Sequence, residues 1–92
     1  MISSFRHKGL LAFFNEDDHS GVPVKLAPRI SRILDRLDAC TKPQDMDLPG
    51  YNLHPLKGQR KDCWSVTVNG NWRMTFIFDD GDAYIVNYED YH

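Results

Sequence analysis

The feature that most constrains this fold is a pair of alternating segments on either side of Asn69-Gly70. Trp64, Val66 and Val68 occupy every second position before it, and Trp72, Met74, Phe76 and Phe78 every second position after it. A period of two sends successive side chains to opposite faces of a strand. Each segment therefore offers one apolar face, and Arg73, Thr75 and Ile77 fall on the other side of the second strand. Asn-Gly is a strong hairpin signal, because a type I′ turn needs positive φ at both central residues. The pattern predicts strands at Cys63–Val68 and Trp72–Phe78. Asp79-Asp80-Gly81-Asp82 then turns the chain into a third strand at Ala83–Tyr88, with Tyr84 and Tyr88 expected to share a core face.

A meander needs something to cover its apolar side, and the N-terminal half supplies it. Lys8–Asn15 reads as a short helix with Leu10, Leu11, Phe13 and Phe14 as its apolar side. The stretch from Glu16 to Gly21 has loop chemistry. From about Leu26 to Cys40 a second helix is expected, since Leu26, Ile30, Ile33, Leu34 and Leu37 recur as one stripe of a 3.6-residue period. Pro28 is tolerated in its first turn, where the missing N–H has no partner anyway. Arg29, Arg32, Asp35, Arg36 and Asp38 are read as its solvated face. Ile2–Phe5 could open the chain as a short strand, and prolines and glycines break up Thr41–Gln59. Helices first and an antiparallel meander after them define an α+β domain, with helices on one sheet face. The 92 residues fit a single domain, 1–92.

The net charge of −2 argues at first against nucleic acid, but its distribution matters more than its sum. Between Gly50 and Thr75, Lys57, Arg60, Lys61 and Arg73 face one acid, Asp62, a local excess of +3. The acids gather elsewhere, in Glu16-Asp17-Asp18, Asp79–Asp82 and Glu89-Asp90. Cys40 and Cys63 make no disulfide framework and are read as reduced thiols. No pair of residues has metal-ligand spacing, so no metal or cofactor is expected. The start of the chain lacks a long apolar run, which predicts a cytoplasmic protein with no membrane partner.

Two clusters carry the chemistry. His54-Pro55-Leu56-Lys57-Gly58 enters the sheet, and Asn87-Tyr88-Glu89-Asp90-Tyr91-His92 leaves it, with Arg73 between them at the start of the central strand. RNA is cleaved without a metal when its 2′-hydroxyl attacks the adjacent phosphorus. That requires a proton acceptor, a donor for the leaving 5′ oxygen, and cations around the crowded phosphorane. His54, Asp90 and His92 can move protons, Lys57 and Arg73 can offset charge, and Tyr91 can stack on a base. Taken singly, each has a bland alternative. Charges flanking a sheet solubilise it, a lone histidine packs in a turn, and a terminal Tyr91-His92 pair frays.

The blocks Ile2–Leu10, Tyr51-Asn52-Leu53-His54-Pro55-Leu56-Lys57-Gly58, Trp64-Ser65-Val66, Asn71-Trp72-Arg73-Met74-Thr75-Phe76 and Asn87–His92 together resemble HigB host-inhibition toxins of the RelE superfamily. Order and spacing are kept across nearly the whole chain. The resemblance implies a RelE-like fold, two N-terminal helices packed on a twisted, mainly antiparallel sheet. It implies codon-dependent cleavage of mRNA in the ribosomal A site and neutralisation by a HigA-type helix-turn-helix antitoxin, through which alone operator DNA would be met. Carried over by position, Lys57 and Arg73 match the family's phosphate-contacting bases, Asp90, Tyr91 and His92 its functional tail, and His54 the histidine ahead of the lysine. Which of His54, Asp90 and His92 acts as base or acid is left open by the match. The rival reading is a non-catalytic ParE-like inhibitor of a protein such as DNA gyrase, which fold alone does not separate. Retention of Lys57, Arg73 and the complete tail favours the nuclease. A subunit acting only on operator DNA finds no recognition-helix pattern here.

Overall fold

The helices and strands fall in the expected order in the computed structural model, which describes residues 1–60 and 62–90. Helix α1 is Lys8–Glu16 and α2 is Ala27–Ala39; the strands are β1 (His54–Pro55), β2 (Trp64–Asn69), β3 (Trp72–Asp79) and β4 (Asp82–Asp90). They form one sheet in the order β1-β2-β3-β4, every neighbouring pair antiparallel. Both helices bury their stripes against it, in a core that joins Leu10, Ile30, Ile33, Leu34 and Leu37 to Val66, Met74, Phe76 and Val86. This is the α+β architecture that the sequence predicts.

Local chemistry sets the helix ends. The His7 ring accepts a hydrogen bond from the Leu10 amide (3.1 Å), which caps α1, and the chain leaves that helix through Asp17 in the left-handed region at φ 55°. Helix α1 buries Leu10 and Phe13, but Leu11, expected on the apolar side, is 41% exposed. Helix α2 carries Pro28 in its first turn, as anticipated. Arg29 is not part of a solvated face: it reaches across to three backbone carbonyls, Val68 at 2.7 Å, Gly50 at 3.1 Å and Thr67 at 3.2 Å.

Other expectations need correction. The opening strand shrinks to two isolated parallel bridges, Ile2 to Ala83 and Phe5 to Val86, because β4 kinks between them at Ile85 with φ 48°. A short strand that was not anticipated, β1, pairs His54 with Ser65 and Pro55 with Trp64. The first hairpin turns one residue later than expected. Asn69 pairs with Trp72, and of the loop residues only Gly70 has positive φ (56°). That is the pattern of a turn with glycine first rather than the type I′ pattern. The type I′ signature sits instead at the second hairpin, where Asp79 pairs with Asp82 and both Asp80 (φ 51°) and Gly81 (φ 85°) are left-handed.

The kink at Ile85 also decides the faces of β4. Thr75 pairs with Asn87 while Ile77 pairs with Tyr84, so β4 holds one extra residue and its alternation slips. Ala83, Val86 and Tyr88 therefore share the core side, and Tyr84 does not join Tyr88 there. Trp72, expected in the core, is 40% exposed at the sheet's end, where its ring stacks on Tyr88 with centroids 4.7 Å apart. Met74 and Phe76 are fully buried, as expected of that face.

Candidate nucleic-acid site on the outer sheet face

Register places the polar strand residues in two rows on the face away from the helices. His54, Ser65, Thr75 and Asn87 line up across β1 to β4, and Thr67, Arg73 and Glu89 form the adjacent row. The alternation that buries Val66, Met74 and Val86 puts these side chains opposite.

His54 is held at both ring nitrogens. Its Nδ1 lies 2.8 Å from the Asn52 carbonyl and its Nε2 3.1 Å from the Ser65 hydroxyl. A carbonyl oxygen only accepts, so Nδ1 carries the proton and donates; in the neutral ring Nε2 holds the lone pair and accepts from Ser65. Asn52 occupies the left-handed region (φ 51°), which aims that carbonyl back at the ring. Lys57 follows on an exposed loop, and His54, Pro55, Leu56, Lys57 and Arg60 enclose an open hollow of about 340 Å³. Arg73 is half-buried, with Nη1 donating to the Gly70 carbonyl (2.6 Å) and the Trp72 carbonyl (3.3 Å), so its guanidinium leans toward the hairpin turn.

The residues that sequence reasoning missed surround Glu89. Its Oε1 accepts from Arg60 Nη1 at 2.7 Å, and its Oε2 from Arg60 Nη2 at 2.8 Å, Thr75 Oγ1 at 2.8 Å and Asn87 Nδ2 at 3.2 Å. These hydrogen bonds, Arg60's first, hold the carboxyl down to about 2 against the opposing effect of burial. The same pairing raises the affinity of Arg60 for its proton. A signal was present: Ser65, Thr75, Asn87 and Glu89 are the polar alternates of strands read for their apolar faces.

Of the six predicted site residues, His54, Lys57 and Arg73 lie on or beside this face. Asp90 ends β4, exposed and paired with Trp72, one alternation away from Glu89. Tyr91 and His92 lie outside the described residues, as does Lys61. Both cysteines are free. Among the described residues, no helix is long and apolar enough to cross a membrane.

Fold and face together define an α+β domain with basic and proton-exchanging side chains on the sheet side away from its helices. The family model described as RelE-like toxin of type II toxin-antitoxin system HigB matches residues 3–92. The chain is 51% identical over 92 residues to Endoribonuclease HigB of Proteus vulgaris, with 100% of both chains covered. It is 32% identical over 85 residues to Toxin HigB-1 of Vibrio cholerae serotype O1, with 90% of each covered. The chain belongs to the HigB family of RelE-like toxins, and as the toxin of a type II system it has an antitoxin partner.

Proposed function

We propose that this HigB-family toxin, an endoribonuclease, cuts messenger RNA in the ribosomal A site and so arrests translation. The observation that carries the reading is His54. Its ring is fixed between the Asn52 carbonyl and the Ser65 hydroxyl, lines one hollow with Lys57, and lies on the same sheet face as Arg73. In the proposed step the 2′-hydroxyl gives its proton to a base and its oxygen bonds to phosphorus. The bond from phosphorus to the 5′ oxygen breaks, and that oxygen takes a proton from an acid. The products are a 2′,3′-cyclic phosphate and a 5′-hydroxyl. His54 Nε2 suits the base, with Ser65 yielding its hydrogen bond as the imidazole becomes charged. Lys57 and Arg73 offset the negative charge on the phosphorane.

Asp90, Tyr91 and His92 complete the set by their match to the family's tail, His92 and Asp90 as proton-transferring groups and Tyr91 as a stacking surface for a base. Support for ribosome dependence comes from the size of the surface: a few cations on an acidic domain hold one or two phosphates, and the ribosome would present the codon. The antitoxin partner is proposed to be of the HigA helix-turn-helix type, with operator DNA reached only through it.

The test maps 5′ ends of a defined mRNA incubated with the purified toxin, free and on programmed ribosomes. A second mRNA carries one 2′-deoxynucleotide at the cut position. Cutting confined to ribosome-bound mRNA and lost with the deoxynucleotide is expected. Equally fast cutting of free RNA would refute ribosome dependence, and cutting at the deoxynucleotide would refute 2′-hydroxyl attack.

A further inference from the structure

Arg60 and Glu89 form an ion pair that the chemistry above does not use, and its construction is unlike that of a surface pair. The Arg60 fork meets the carboxylate with both terminal nitrogens, at 2.7 and 2.8 Å. Two strand side chains brace the anion from behind, Thr75 at 2.8 Å and Asn87 at 3.2 Å. Burial is unequal: the Glu89 side chain is 24% exposed and the Arg60 side chain 44%. The anion is thus sunk into the sheet and the cation stands outward from it. Arg60 also lines the hollow that holds His54 and Lys57. A guanidinium has five N–H groups in a rigid plane, and a bidentate carboxylate takes two of them. The Cys63 side chain also hydrogen-bonds this guanidinium, and the N–H groups left over keep a defined direction, which a phosphate oxygen can use.

We propose that Arg60 is a further phosphate-contacting residue of this site, and that Glu89 is the positioning residue that fixes its guanidinium plane beside Lys57 and His54. The proposal rests on the reading that this face holds the RNA strand. Because Glu89 cancels most of the long-range charge of Arg60, the contribution is a directed hydrogen bond to a non-bridging phosphate oxygen rather than general attraction. Lysine, a point charge without a fork, is a poor substitute at such a position.

The experiment is single-turnover cleavage of a defined mRNA on programmed ribosomes by the full chain, across a range of toxin concentrations. Arg60→Ala should lower the maximal rate about tenfold to a hundredfold, in the range expected for loss of one preorganised donor. Glu89→Gln should lower it about tenfold, acting through the same guanidinium. The double variant should fall no further than Arg60→Ala alone, since Glu89 has nothing left to position. Arg60→Lys should recover less than half of the lost rate. Circular dichroism at the assay temperature confirms folding; if Arg60→Ala does not fold, Arg60→Gln, which keeps an amide donor toward Glu89, is read in its place. A folded Arg60 variant within twofold of wild type overturns the proposal. So does full recovery by lysine, and multiplicative losses in the double variant overturn the role of Glu89. Wild-type toxin that cuts free RNA as fast as ribosome-bound RNA would refute the ribosome reading alone; the same variants on free RNA would still decide this one.

Discussion

Arg29→Ala should destabilise this toxin more than its place on an outer helix face suggests. The side chain crosses from α2 to β2, with Nε 2.7 Å from the Val68 carbonyl and Nη2 3.1 and 3.2 Å from those of Gly50 and Thr67. Val68 is the extra residue where β2 slips against β3 between Thr67 and Asn69, so the carbonyls of Thr67 and Val68 lie at a locally broken ladder. The guanidinium also lies 5.5 Å from the centroid of the Tyr51 ring. A hydrogen bond from a charged donor contributes about 1.5–3 kcal/mol when water is excluded. Here one of the three acceptors is exposed and the contacts are partly additive at best, so we expect a loss of about 3 kcal/mol, including about 0.5 kcal/mol from the ring contact. For a domain of this size each kcal/mol moves Tm by roughly 4–8 °C, which gives a fall of about 12–24 °C. Thermal melts by circular dichroism measure it. Lysine cannot reach three carbonyls with one ammonium, so Arg29→Lys should recover less than half of the loss. A fall of less than about 4 °C in Arg29→Ala, or full recovery by lysine, would refute the reasoning.

Two further outcomes follow from the geometry. Glu89 titrates near 2 in the folded chain against an ordinary 4.5, so its contribution is fully present above 4.5 and is lost as pH falls from there toward 2. After screening at this partly open position it amounts to about 1–2 kcal/mol; urea midpoints followed from neutral pH into acid should fall less steeply in Glu89→Gln than in wild type, and identical slopes would count against the pairing. Trp72→Ala should cost only about 1–2 kcal/mol, for partial burial and one ring stack, because the indole is 40% exposed. Leu34→Ala, at a fully buried position, should cost about 2–5 kcal/mol; if melts rank the two the other way, Trp72 belongs to the core after all.

Much of the architecture was legible because it depends on period and on turn chemistry. The stripe of Ile30, Ile33, Leu34 and Leu37, the proline in the first turn of α2 and the alternation of Val66 and Met74 each specify one element and one face. What was not legible depends on contacts between elements. Arg29 looks like any solvated helix charge until β2 brings unsatisfied carbonyls within its reach. Ile85 gives no local sign that it will adopt φ 48°, since a β-branched residue there is uncommon. That one residue reverses the alternation of β4, which is why Tyr84 and Tyr88 part company. The two-residue β1 is too short to leave a period, and it exists because Ser65 and Trp64 offer an open edge to His54 and Pro55.

The site divides along the same line. His54, Lys57 and Arg73 were proposed because residue chemistry and family blocks coincide at them; the register sets His54 and Arg73 on one side of the sheet, and Lys57 shares a hollow with His54. The tail was read as a single functional cluster leaving a strand that ended at Tyr88. In fact β4 continues through Asp90, so strand geometry imposes a period of two on residues that chemistry alone would treat alike. Asn87 and Glu89 fall on the face of Thr75 and Arg73, while Tyr88 and Asp90 turn toward Trp72. Glu89, counted among the acids that oppose RNA binding, thereby becomes the partner of a base from a loop 29 residues earlier in the chain. Its negative charge no longer repels a phosphate strand as a bare carboxylate would, because four donors already occupy its two oxygens. An acid in a basic site is therefore compatible with a nuclease when its role is to aim a guanidinium. The sum of charges along the sequence conceals that ion pair, and the fold reveals it.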